Sequence, residues 1–334
     1  MTDYVPLNTS ENPPSPTALA KNRQETKFNY IILFLFLAIG ITVLSTIPSI
    51  IYLTGNESWQ ELTNQTDTPL VEPPETIIVP PEMTRQKIVG YFTSWSIYAR
   101  SFNVRDIDAS KLTHINYAFF NLSPDGKVIF GDPWADTDKH FDGDSWNEEG
   151  TNLYGNFKQL ALLKQKHRHL KVVISIGGYT WSTNFGSVTA NPETRKTMVD
   201  SLLKLVKDLY IDGIDIDWEY PKNEKEGTNY VHLVRELRNA LNDYAADMGE
   251  AQPFLITAAL PCGPENYNRI PLRELSRYLD FLNLMAYDFA GSWSSVTGHQ
   301  SNLYGKDISV DRAVSDYLAA GVPPEKIVIG MPMY

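Results

Sequence analysis

Residues 212–220 read DGIDIDWEY and are followed by Pro221. Four acids, Asp212, Asp215, Asp217 and Glu219, are interleaved with Ile214, Ile216 and Trp218. A solvated acidic cluster would sit among other polar residues. Alternation with bulky apolar side chains is instead the period of an extended strand, whose side chains point to opposite faces in turn. Read as a strand over 211–220, the segment puts Asp215, Asp217 and Glu219 on one face and the two isoleucines and Trp218 on the other. Asp212 has the parity of the apolar set and reads as structural. An EF-hand loop also spaces acids at alternate positions, and Glu226 falls twelfth from Asp215. Its sixth position, however, would be Tyr220 where the tight turn requires Gly.

Outward from this stretch the same texture recurs. Short β-branched apolar runs occupy 87–95, 113–122, 170–178, 254–260, 279–288 and 326–334. Helical periodicity fills most of the gaps. Asn191-Pro192 is a cap followed by Pro at the first helical position, with Met198, Leu202, Leu205, Val206 and Leu209 on one face. Tyr230, Leu233, Val234, Leu237, Leu241 and Tyr244 form a second stripe. Ser309 caps a third helix, stopped by Gly321 and Pro323. Strand–helix alternation with continuous apolar strands predicts a parallel sheet buried on both faces. The first strand is followed by no Gly-rich phosphate turn, which argues against a doubly wound dinucleotide fold. Polar and aromatic residues gather instead at the strands' C-terminal ends: Trp95, Gly177-Gly178, Glu219 and Tyr287-Asp288. Such convergence predicts a closed (β/α)8 barrel with its site at that mouth. Seven strands are read, the seventh running to Tyr334, so the first and last are expected to lack one pairing partner.

In such a barrel the isoleucines and Trp218 pack outward on helices while the acids line the lumen. Like charges confined together cannot all ionise freely, so at least one proton is held to higher pH. A carboxylic acid still protonated near neutrality can protonate a leaving oxygen. Glu219, longest in reach and nearest the open end, takes that role. A glycosidase normally sets a second carboxylate across the scissile bond. Asp217 lies two residues inward on the same strand, poorly placed for attack from the opposite face, so the nucleophile must come from elsewhere.

These residues resemble a known family. DGIDIDWEYP is similar to the D-x-x-D-x-D-x-E signature of family 18 glycoside hydrolases. VVISIGGYTWSTNF resembles the family's third strand, with S-x-G-G at Ser175, Gly177 and Gly178. LNLMAYDFAGSWSSVTGH resembles its sixth strand, with M-x-Y-D at Met285, Tyr287 and Asp288. Residues 136–164 are similar to the second connection of fungal-type endochitinases. The resemblance covers about 86–334. It implies a TIM (β/α)8 barrel acting on chitin, a β-1,4-linked N-acetylglucosamine polymer, or on chito-oligosaccharides, by substrate-assisted retaining catalysis with no cofactor. By the same resemblance Glu219 is general acid and base. Asp217 orients the substrate acetamido N–H, and Asp215 bonds to Asp217. Tyr287 donates to the acetamido oxygen, while Gly178, Tyr179, Met285 and Asp288 shape the substrate subsite. Tyr91, Phe119 and Trp293 read as sugar platforms or as core. The pattern departs from the family in three respects. Tyr179 stands where Trp is common. The Gly-Arg pair after the seventh-strand Tyr is not reached. The inserted α+β domain and eighth strand are expected to lie beyond this sequence. A lectin-like barrel, a non-functional fragment and an enzyme acting on the N-glycan core remain alternatives.

Composition sets the outer bounds. The 334 residues carry a formal charge of −11 with 43% hydrophobic and 12% aromatic residues, enough apolar mass for a large core and no basic footprint for nucleic acid. The histidines show no metal-ligand spacing, and no metal site is expected. His167 and His169 lie at a predicted helix C-terminus, where cations favour the dipole. The one cysteine, Cys262, is either a buried thiol or the partner of something outside this sequence. Residues 1–29 are polar and Pro-containing and predict a disordered cytoplasmic tail. Residues 30–53, YIILFLFLAIGITVLSTIPSIIYL, are apolar throughout; as a helix at ~1.5 Å per residue they reach about 36 Å, enough to span a bilayer with tilt. Lys21, Arg23 and Lys27 precede this span and no base follows before Arg85, which places the N-terminus inside. Residues 54–85 read as a Pro-rich acidic stalk carrying sequons at Asn56 and Asn64. The expectation is a single-pass membrane protein with the barrel of 86–334 outside, or a secreted one if the apolar segment is cleaved.

Overall fold

The computed structural model describes residues 86–150, 152–249, 254–305 and 307–333. The tail, apolar span and stalk expected over 1–85 lie outside the described residues. Among the described residues no helix is long and apolar enough to cross a membrane.

The acidic stretch forms a strand, β5, in the middle of a parallel sheet. In chain order the strands are β1 (Val89–Thr93), β2 (His114–Leu122), β3 (Val128–Ile129), β4 (Lys171–Gly177), β5 (Gly213–Asp217), β6 (Leu255–Pro261), β7 (Phe281–Met285) and β8 (Ile327–Ile329). Hydrogen-bonded neighbours run β1-β2-β4-β5-β6-β7-β8, all parallel. The seven strands match the seven runs of the sequence and form an open barrel. The short β3 was not foreseen. It pairs antiparallel with the end of β2, Asn121 opposite Ile129 and Leu122 opposite Val128.

The four long helices are α1 (Gly155–Lys166), α2 (Pro192–Leu209), α3 (Glu224–Met248) and α4 (Val310–Ala319). The caps read from the sequence, Asn191 and Ser309, are formed. The side chain of Asn191 accepts from the Glu193 N–H at 2.8 Å, and Ser309 accepts from the Arg312 N–H at 3.2 Å. Asn223 accepts from the Glu226 N–H at 3.0 Å. Glu226 itself accepts from the Lys222 N–H at 2.9 Å, so the residue with EF-hand spacing belongs to a helix cap. His167 is the C-cap of α1, where Lys164 and Lys166 precede it.

The core lies between sheet and helices. Ile214 and Ile216 are buried on the outer face of β5, and Trp218, one residue past its end, is buried too. Trp218 stacks on Phe185 with ring centroids 5.3 Å apart and meets Tyr230 of α3 at 5.4 Å. The Tyr230 hydroxyl then donates to the carbonyl of Ile216 at 3.1 Å, satisfying the one polar atom that packing would bury. Asp212 faces the same way at the strand's start. It pairs with Lys164 of α1 at 2.5 Å and accepts from the Val172 N–H at 2.7 Å. Cys262 is buried and free, its thiol pushed up to about 12 by burial.

Candidate active site

Strand alternation delivers Asp215 and Asp217 into the lumen, both buried. The strand ladder itself stops at Asp217, shorter than the 211–220 expected from the pattern, and Glu219 stands in the turn beyond it. That turn is tied down by a residue no motif named. The Ser182 hydroxyl accepts from the Glu219 N–H at 2.8 Å and lies 2.9 and 3.2 Å from the carbonyls of Gly178 and Asp217. Two glycines make this close approach possible. Gly177 has φ +109°, and a Cβ there would fall 2.3 Å from the Asp217 carbonyl oxygen. Gly178 has φ +72°, and its Cβ would press on the Phe119 ring at 3.0 Å.

Asp215 is held by four donors from four other strands. Tyr91 of β1 donates at 2.9 Å, Ser175 of β4 at 2.7 Å, Thr257 of β6 at 2.5 Å and Asn283 of β7 at 3.3 Å. The resemblance implied a bond from Asp215 to Asp217. In the structure the hydrogen bonds of Asp215 go to these four groups, because each registers beside it or reaches across the lumen. Tyr91 carries a second contact. Its residue surface is 41% exposed, but its hydroxyl points into the acidic cluster and also accepts from Asn283 at 3.3 Å. Its hydroxyl is a polar partner of Asp215. Thr257 and Asn283 went unread, although each is a polar interruption of an otherwise apolar inward-facing row. Ser182 carries no comparable signal.

Burial raises all three carboxyls, by different balances. For Asp215, Thr257, Ser175, Tyr91 and Asn283 oppose the effect of burial. For Asp217, one buried oxygen, Oδ1, meets no hydrogen-bond donor among the described residues. Burial, then the charges of Glu219 and Asp215, push it well above the carboxylate range. Glu219 is raised by burial first. The Tyr220 side chain opposes that effect, Asp288 adds to it, and the Tyr179 backbone N–H again opposes it. The result is a partly exposed acid able to keep its proton above the ordinary range, over a deeper carboxyl with an unoccupied acceptor position.

The remaining candidates lie around the same mouth. Asp288 follows β7 in a left-handed backbone conformation, φ +57°, and accepts from the Gln300 amide at 3.1 Å. Tyr287 and Met285 are partly buried beside it. Tyr179 is 85% exposed next to Gly178, and Trp293 is 68% exposed on the loop that leaves Asp288. Phe119 packs against Gly178 and meets Trp95 with centroids 6.3 Å apart. Among the described residues no group of three or more His, Cys, Asp or Glu is arranged to hold a metal ion.

The glycosyl hydrolases family 18 profile matches residues 87–334. The chain belongs to that family. Chitinase 1 of Aphanocladium album is 48% identical over 251 residues, covering 73% of this chain and 59% of that relative. Endochitinase 1 of Metarhizium anisopliae is 46% identical over 250 residues with the same coverages, 73% and 59%. Among solved structures, chitinase ChiA74 from Bacillus thuringiensis superposes with a TM-score of 0.69 at 34% identity, covering 74% of this chain and 48% of that one. This family 18 chain thus spans about 59% of the length of the curated relatives it matches.

Proposed function

We propose that the barrel hydrolyses β-1,4-N-acetylglucosamine linkages of chitin, cutting within the chain, by substrate-assisted retaining catalysis. The observation that carries this reading is the pairing of Glu219 with Asp217. The outer carboxyl is raised by burial, and the inner one is buried with an acceptor oxygen that meets no donor among the described residues. A substrate bearing a 2-acetamido group brings both an N–H for that oxygen and its own nucleophile. Glu219 gives its proton to the glycosidic oxygen as the C1–O bond breaks. The acetamido carbonyl oxygen closes on C1 from the opposite face, forming an oxazolinium ion whose N–H donates to Asp217. Water then attacks C1 and returns a proton to Glu219, with net retention. Tyr287 donates to the acetamido oxygen, and Met285, Asp288, Gly178 and Tyr179 shape the pocket around it. Asp215, held by its four donors, is the deeper carboxyl of the set. The names of the two fungal relatives support the substrate class. The apolar segment at 30–53 supports a membrane-anchored enzyme acting outside the cell, testable by carbonate extraction and protease protection.

The test is turnover of a fluorogenic chito-oligosaccharide by the chain and by Glu219→Gln. Loss of general acid catalysis lowers kcat by roughly 10²–10⁴-fold with the fold intact. Equal turnover by the two proteins would refute the mechanism.

A further inference from the structure

Residues 164–171 read KQKHRHLK, six Lys, Arg or His in eight positions of a chain whose formal charge is −11. The run ends α1, turns and starts β4, so it lies at the N-terminal end of the strands, away from Glu219. Cations at a helix C-terminus favour its dipole, and two of these also serve the fold. Lys164 pairs with Asp212 at 2.5 Å and donates to the Tyr210 carbonyl at 3.3 Å, and Lys171 lies 3.5 Å from Asp212. One carboxylate thus answers two ammonium groups. Lys166 and Arg168 are exposed and make no ion pair among the described residues.

The turn that carries them is tied down. The His167 N–H donates to the Leu163 carbonyl at 2.9 Å, and the Leu170 N–H to that of His167 at 2.9 Å. His169 Nε2 lies 3.1 Å from the Leu112 carbonyl and 3.3 Å from that of Ala109. Both oxygens only accept, so this nitrogen carries a proton and donates. Lys166 and Arg168 are two residues apart, which keeps their Cα atoms within about 7.6 Å. Cationic groups continue toward the barrel axis at the same end. Burial first, then the Lys87 ammonium, push the His114 imidazole down to about 4; Asp212 opposes this, Lys171 adds to it and Asp280 opposes it.

We propose that the 166–169 turn is a docking surface for an anionic polysaccharide, a glycan bearing carboxylate or sulfate groups, on the end of the barrel opposite the mouth. It uses no residue of the mouth and does not depend on the reaction there. Two cations held close together on a fixed turn meet successive anionic groups of a polymer with little ordering left to lose. Tyr210 is 77% exposed beside the last turn of α1, and its ring offers a face for the C–H groups of a sugar. A bilayer held by charge alone takes a cluster of about 4–8 Lys or Arg, more than the two cations that lack an acidic partner here. A DNA duplex is read by a helix or ribbon laid in its groove, which a single turn does not supply.

The experiment measures heparin binding at low salt by the full chain in detergent, with polygalacturonate and a DNA duplex as competitors. Lys166→Ser/Arg168→Ser is compared with Lys196→Ser/Lys225→Ser, which removes the same charge from exposed positions near the N-terminal ends of α2 and α3. The expected result is roughly tenfold weaker binding for the turn variant and wild-type binding for the control. Polygalacturonate should compete better than DNA at equal charge, and chito-oligosaccharide turnover should be the same in all three proteins. Equal losses in the two variants would mean that net charge alone is at work, and equal competition by DNA would mean that no glycan is preferred; either overturns the proposal. Turnover without heparin binding overturns it and leaves the chitin reading in place, whereas heparin binding without turnover does the reverse.

Discussion

The Ser182 hydroxyl touches three backbone groups of the catalytic turn and no substrate atom. It has one proton to share between the carbonyls of Gly178 and Asp217, while its oxygen takes the Glu219 N–H. Ser182→Ala strands that N–H in a buried setting, which costs about 1–3 kcal/mol. Because the turn carries Glu219, kcat falls about tenfold with little change in KM; denaturant melts and steady-state kinetics would show a neutral substitution if the turn is held by other means. Asp288 acts on Glu219 through charge. Removing it in Asp288→Asn takes away one of the two influences that raise the Glu219 carboxyl. The protonated form is then lost at lower pH, so the alkaline limb of the kcat/KM profile moves acidward. An unmoved limb would separate the two residues. At this scale the sequence was readable wherever period two governed. Asp215, Asp217, Ile214, Ile216 and Trp218 all face as alternation requires. Ser182 was not, because a hydroxyl past a strand end lies outside any periodicity, and its partners come together only through the left-handed Gly177 and Gly178.

At the level of elements, the connection from β3 to α1 hangs on a buried carboxyl. Asp136 is fully buried, takes the Tyr117 hydroxyl, and accepts from the Asp132 N–H at 3.1 Å. Burial raises it to about 6, against the pull of those two donors. Its folded value exceeds the unfolded value near 4, so the stability it supports is complete below pH 4 and lost as pH rises through about 6. The span corresponds to about 3 kcal/mol. Asp136→Asn removes the ionisation, and the variant's melting temperature is expected to decline less between pH 4 and 7 than the wild type's; parallel declines would place the titration elsewhere. The caps of α2 and α4 were legible because Asn191-Pro192 and Ser309 are local signals. β5 was read too long because the alternation of acids and apolar residues continues through Glu219, where pairing to β4 and β6 has already ceased. β3 escaped because two residues carry no period at all.

Across the whole molecule, β1 has one neighbour in the sheet, β2, among the described residues. A further attachment runs through the lumen. Tyr91 donates to Asp215 and accepts from Asn283, and Asn283 also donates to Asp215, which closes a triangle between β1, β5 and β7. Nothing in the three strand sequences, read singly, announces this contact between residues 192 positions apart. It exists because the sheet curls until inward rows face one another. If the triangle helps to hold that curl, Tyr91→Phe and Asn283→Ala should each cost about 1–3 kcal/mol, since each removes a hydrogen bond to a buried carboxyl. The pair should be non-additive by about 0.5–3 kcal/mol in a double-mutant cycle. The pH dependence gives the sign independently. Both donors pull the Asp215 carboxyl down against burial, so losing either raises it further, and the variants lose more stability than wild type as pH rises. Strict additivity at every pH would mean that Tyr91 and Asn283 act on Asp215 separately and that the triangle does not hold β1 as a unit.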